Sequence, residues 1–255
     1  MTAVATEPMT GTTARFRPHE IWRIIRLHTV NPSIFFGVPW IILGSAWAIT
    51  MLVAIIIQGA GAPQEEMTEG FRYSWAVLSP QWYLIAVGVQ AIATTFQFAL
   101  GLGATRRDYW LGTSAMFVFV SFEMAAAIAT LVQLEQLTNG WGIGAGMFDT
   151  LWYGQNGWLV DFYTTFALQL LVLFIGASIA TIYMRWRMRG MLTLLFAGVA
   201  VVLATIAAFT FTDRWGALFE WFTAIGVVGV FTLLFVKALG WAVVGFLVIR
   251  RATPR

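Results

Sequence analysis

Few residues in this chain carry a side chain able to act on another molecule, and their types narrow the chemistry at once. There is no cysteine, which excludes thiolate nucleophiles, disulfides and cysteine-ligated metals. His19 and His28 are the only histidines; no H-E-x-x-H or carboxylate cluster accompanies them, and no Ser or Asp stands at a readable catalytic spacing. No G-x-x-x-x-G-K-[ST] occurs, and "NGWGIGAGM" (139–147) lacks both the preceding strand and the following Lys of a phosphate loop, so its glycines read as flexible loop. The chain is therefore expected to be no enzyme and to hold no metal or cofactor of its own.

What remains are polar groups set in apolar sequence. Glu123 lies 16 residues beyond Arg107, and Lys237 lies 13 before Arg250, so at about 1.5 Å per residue both fall near the middle of an apolar run. A charge at that depth is costly alone and calls for a partner, a cavity or a pathway. A Glu123 to Lys237 bridge that fixes packing, within or between copies, is the first expectation; an ion-translocating or proton-linked pair is the second. Gln90, Thr94 and Gln97 recur at i, i+4 and i+7 and form a polar stripe, expected to make interhelical hydrogen bonds, with a substrate-lining face as the alternative. Asp161 is expected near a helix end, within reach of headgroups.

The elements that position these residues follow from composition. Of 255 residues 59% are hydrophobic and 11% charged, with a mean hydropathy of +0.78, which no water-soluble surface carries. An all-α integral membrane protein is expected. Six runs are long enough for a hydrocarbon core about 30 Å thick: about 34–58, 82–104, 109–134, 158–184, 190–211 and 223–249. None alternates with the period of a membrane strand. Six spans place both termini on one side. Twelve arginines fall on that side and only Arg72 and Arg214 on the other, beside Glu65, Glu66, Glu69, Glu135, Asp149 and Asp213, so both ends should be cytoplasmic in a multi-pass protein of the cell membrane. The pI of 9.6 is thus an orientation signal, and no nucleic-acid partner is expected. No cleavable leader is expected in the polar start. Most of the thirteen tryptophans, Trp110 and Trp186 included, are expected as headgroup anchors.

The chain divides into residues 1–33, a cytoplasmic segment with an interfacial helix at about 19–30, and residues 34–255, the spanning domain. In "HEIWRIIRLHTV", Glu20, Arg23 and Arg26 occupy one stripe while Ile21, Trp22, Ile24 and Ile25 cover much of the rest, as in a helix lying in the interface. Its expected role is to anchor the first span against the lipid bilayer; the sharper alternative is a lever touched by a cytoplasmic partner. Between the second and third runs lies "LGLGATRRDYWLGTSA" (100–115). There Gly101 and Gly103 loosen a helix end, Thr105 can cap a short helix, Arg106, Arg107 and Asp108 charge its head, and Tyr109 and Trp110 should hold it at the interface. A plain hairpin turn needs less. Before the last run, "FTDRWGALFEWF" (211–222) suggests a short helical or re-entrant elbow.

These features resemble the small six-helix permeases of type-2 ATP-binding-cassette transporters, particularly those of actinobacteria. The resemblance rests on "HEIWRIIRLHT" leading into "NPSIFFGVPW", on "GATRRDYWLGT", on six spans with both ends inside, and on the aromatic elbow. It implies that Gly103, Thr105, Arg106, Arg107, Asp108, Gly112 and Thr113 form a coupling segment that docks on a separate ATPase, with Trp22, Arg23 and Arg26 beside it. It further implies a second permease, identical or paralogous, two stand-alone ATPase subunits that carry ATP and Mg, and export of a drug, lipid or peptide. Two other classes stay open: a membrane component for immunity to, or sensing of, peptide antibiotics, and an ion-coupled carrier using Glu123 and Lys237, although no internal repeat supports the latter.

Overall fold

The computed structural model describes residues 18–251. Arg15, Arg17 and Arg255 of the basic set lie outside them. Among the described residues the chain is all-helical, without a strand. Helix α1 is Pro18–His28; a wide π-helical turn, Ser33–Gly37, runs straight into α2, Val38–Gly59. Then come α3 (Gln64–Phe71), α4 (Ser79–Gly101), α5 (Arg106–Leu137), α6 (Trp158–Phe211) and α7 (Trp215–Ile249). Five segments, Ser33–Gly59, Gln64–Gly101, Arg106–Leu137, Trp158–Phe211 and Trp215–Ile249, are long and apolar enough to cross a membrane.

Three of these are not single rods; Gln64–Gly101 holds α3 and α4 with a turn between them. A straight α6 of 54 residues would reach about 80 Å, far beyond a bilayer. It breaks at Arg187 (φ 53, ψ −145), and the chain folds back there. A Cβ on Gly190 would lie 3.3 Å from Ile182 Cγ2. Eight residues apart on a straight helix, the two would be separated by about 12 Å. The expected runs 158–184 and 190–211 are the two arms of this break. Similarly, α7 starts as a short helix, breaks at Gly226 (φ 61, ψ −173) and continues to Ile249, which gives the expected elbow a helical form.

The bundle is built on α4, α5 and the first arm of α6. Gly88 of α4 and Gly176 of α6 face each other so closely that a Cβ on Gly176 would lie 3.1 Å from the Gly88 Cα, and one on Gly88 would lie 3.1 Å from the Ala177 nitrogen. Small residues at a crossing let backbones touch, which is how helices gain dispersion energy where the surrounding lipid is as apolar as they are. Leu84, Val87, Phe96, Phe117, Val120 and Leu173 fill the interior around that crossing. From Arg187 onward α6 is exposed at almost every position.

The end that carries the carboxylates is organised by Glu135, buried in the last turns of α5. Its carboxylate accepts from the backbone N–H groups of Met147 (2.9 Å), Phe148 (3.0 Å) and Asp149 (2.8 Å) and from the Trp141 indole (2.7 Å). The glycine run is thus wound into a fixed shape, with Gly140, Gly142 and Gly144 at φ 69, 77 and 71, rather than left loose. Asp161 corrects its expected place too: it is fully buried, accepts from the Gly154 N–H at 3.1 Å, and helps hold the same loop. Tyr153, enclosed there, accepts from Thr165, and burial pushes its phenol up to about 12.

Candidate functional site

At the other end, the residues singled out between Gly103 and Thr113 are gathered with α1 and the end of α7. Thr105 caps α5 as its sequence suggests: its hydroxyl accepts from the Asp108 N–H at 3.1 Å and donates to the Asp108 carboxylate at 2.8 Å. A carboxylate in the first turn also suits the positive end of the helix. The segment is not a separate short helix, however. The cap opens α5 itself, so Arg106 and Arg107 stand on the first turn of a 32-residue rod. Asp108 is buried and its carboxylate is engaged by the Thr105 cap.

Tyr109 and Trp110 depart from their expected place as interfacial anchors, because both are core residues. The Tyr109 hydroxyl donates to the Ala91 carbonyl and pairs with Thr95 Oγ1 at 2.8 Å, tying α5 to α4. The Trp110 ring fills the space over Gly245 of α7, where a Cβ would overlap the ring. Three aromatic or charged positions that a linear reading aims outward thus weld the segment inward.

Helix α1 completes the surface. Its buried residues are Ile24 and His28, and it lies on the first turns of α5. Gly112 makes the seat: a Cβ there would fall 2.6 Å from Ile24 Cβ and 3.1 Å from the Ile21 carbonyl oxygen. His28 Nε2 and Thr113 Oγ1 share a hydrogen bond of 3.0 Å, and the His28 ring meets Phe35 edge-on. Burial lowers the His28 pKa to about 4, so the ring is neutral at neutral pH. Thr113 belongs to the segment singled out in the sequence, whereas His28 was given no role there; the signal for His28 is its place two turns from Ile21 on the face that Ile24 also shares. Arg106 Nη1 donates to the Arg250 carbonyl at 2.9 Å and joins the first turn of α5 to the end of α7. Left on the outside are Arg107, Arg23 and Arg26, with Arg23 paired to Glu20 at 3.1 Å, while Trp22 is exposed on α1.

The intramembrane polar residues are arranged differently from expectation. Glu123 accepts from the Trp40 indole at 3.1 Å, its other oxygen has no partner, and Lys237 is exposed on α7. Among the described residues the only ion pair is Arg23 with Glu20, so no Glu123 to Lys237 bridge forms within the chain. Gln90, Thr94 and Gln97 are all exposed, and Thr94 bonds back to the Gln90 carbonyl at 2.7 Å instead of to a neighbouring helix. Helical register placed these residues along their helices but could not say toward which neighbour they point. Comparison with protein-family models, with curated proteins and with solved structures gives no match for this chain.

Proposed function

We propose that the chain is the membrane-spanning permease subunit of an ATP-driven exporter, moved by separate ATPase subunits that push on Arg107 and on the α1 stripe. The break in α6 supports a count of six spans, and the distribution of arginine favours placing both ends in the cytoplasm. The observation that carries the reading is mechanical. Force applied at Arg107 enters a rod that runs through the bundle, and the same turn is fastened to α1 by the Gly112 seat, to α4 by Tyr109 and to α7 by Arg106. A loop meant only to reverse the chain needs none of these braces. A surface meant to pass a displacement to several spans needs all of them.

In this reading ATP closes the partner subunits against the platform, and the spans tilt as a unit so that a path opens between this permease and a second one. The exposed face of α6 beyond Arg187 is a surface that such a second copy would cover. The ion-coupled alternative has less to rest on, since its two charges do not meet within the chain. Purification from native membranes tests the proposal: a subunit that hydrolyses ATP should accompany the wild-type protein and be lost from Arg107→Glu. Ion-gradient-driven transport by the purified chain alone would overturn it.

A further inference from the structure

Two cavities lie on either side of the last turn of α1 and share Leu27 and Val30 as their common wall. The first, about 360 Å³, is rimmed by Arg26 and the Glu20 to Arg23 pair and floored by the apolar end of α4. The second, about 340 Å³, runs deeper between the turn 31–35 and α4, with Ile34, Phe35, Ala91 and Phe98 along it. We infer that together they bind one anionic glycerophospholipid, its phosphate at Arg26 and an acyl chain along the α4 groove. The inference needs only that the chain sits in a bilayer and stands whether or not an ATPase drives it.

Charge argues for the anion. Glu20 neutralises Arg23, whereas Arg26 is exposed and makes no side-chain hydrogen bond or ion pair among the described residues, so the rim carries one uncompensated positive charge. The helical run from Ser33 to Gly59 opens just past Val30, a residue that both cavities share, so its positive dipole end lies near the same rim. Depth argues for a lipid rather than a free phosphate. A helix of 11 residues lying in the interface puts Arg26 at headgroup level, and the second cavity continues from there into the apolar layer.

Native mass spectrometry of the full chain, purified and offered equal amounts of phosphatidylglycerol and phosphatidylcholine, tests this. The expected result is one retained phosphatidylglycerol per chain in preference to phosphatidylcholine. Arg26→Gln should weaken that preference about fivefold, the effect of one basic residue near an anionic surface. Thr94→Trp, which fills the groove from an exposed position, should lose the adduct of either lipid, while Arg72→Gln at the opposite end should change nothing. Equal retention of the two lipids by the wild-type chain overturns the inference without any variant, and so does displacement of phosphatidylglycerol by inorganic phosphate alone. Arg26→Gln and Thr94→Trp holding the lipid as wild type does would also overturn it.

Discussion

Replacing Gly112 should lift α1 off the bundle. The glycine lies under Ile24, and a Cβ built on it would stand 2.6 Å from Ile24 Cβ and 2.8 Å from Ile24 Cγ2. Carbon atoms in contact settle at about 3.5–4.0 Å, so about 1 Å of movement is needed. Ile24 cannot supply it by changing rotamer, because the clashing atom is its own Cβ, and the Ile21 carbonyl 3.1 Å away blocks a slide along the axis. Helix α1 itself must move. Overpacking of this kind costs about 1–3 kcal/mol. The docking it opposes rests chiefly on burial of Ile24, about 2–3 kcal/mol, and on the His28 to Thr113 hydrogen bond, about 1 kcal/mol. Gly112→Ala should therefore loosen α1, and Gly112→Leu should release it. Hydrogen exchange reads this directly: a loss of 1–3 kcal/mol speeds exchange of the α1 amides by roughly 5- to 150-fold. Within α5 the effect runs the other way, since Gly→Ala in a helix interior adds about 1 kcal/mol of helix stability. Faster exchange in α1 with equal or slower exchange in α5 is the expected signature. Unchanged α1 protection in Gly112→Leu would refute the seat.

Three further outcomes follow from the geometry. Glu135→Gln keeps an acceptor for the Met147, Phe148 and Asp149 N–H groups, which all reach Oε1, but turns an NH2 group toward the Trp141 indole bound at Oε2; with that donor unmatched it should lose about 1–3 kcal/mol, read as a fall of roughly 2–12 °C in Tm in detergent. His28 is neutral when docked, with a pKa lowered to about 4, so its contribution is whole above about pH 6.5 and is lost as the pH falls from there toward 4. Exchange of α1, corrected for intrinsic rates, should rise between pH 7 and pH 5 by an amount worth roughly 2 kcal/mol, and His28→Gln should remove that dependence. Arg187 holds a left-handed backbone that costs about 1–3 kcal/mol for a residue with a side chain, so Arg187→Gly should raise Tm by a few degrees after the entropy cost of glycine, about 0.5–1 kcal/mol, is met; a fall would show that its packing over Tyr183 matters more.

Length and apolarity made the long helices legible, because a bilayer leaves a segment few ways to satisfy its backbone. Thr105 was legible as a cap, since its hydroxyl needs only the local turn. The break in α6 falls in "RWRMR", where charge interrupts the apolar run. Facing was not legible. Tyr109 and Trp110 suit a headgroup layer by type, and only the position of α4 and α7 turns them inward. Glu123 and Lys237 stand at similar places along their runs in the sequence, but their directions around their helices depend on packing that no one-dimensional pattern holds. Glu135 looks like one more surface carboxylate until the loop brings three N–H groups onto it. The available hint was a lone carboxylate at a helix end, a few residues before a glycine run able to present consecutive backbone donors.

In the proposed function a separate ATPase drives this chain through the platform formed by α1 and the first turn of α5. Arg107→Glu tests it most directly, because Arg107 is exposed while the braces at Gly112, Tyr109 and Arg106 stay intact. With wild-type and variant proteins purified in parallel from native membranes, ATP hydrolysis should accompany the wild type and vanish with the variant, while the melting temperature stays the same. ATPase activity retained in full by the variant, or absent from the wild type, would contradict the account.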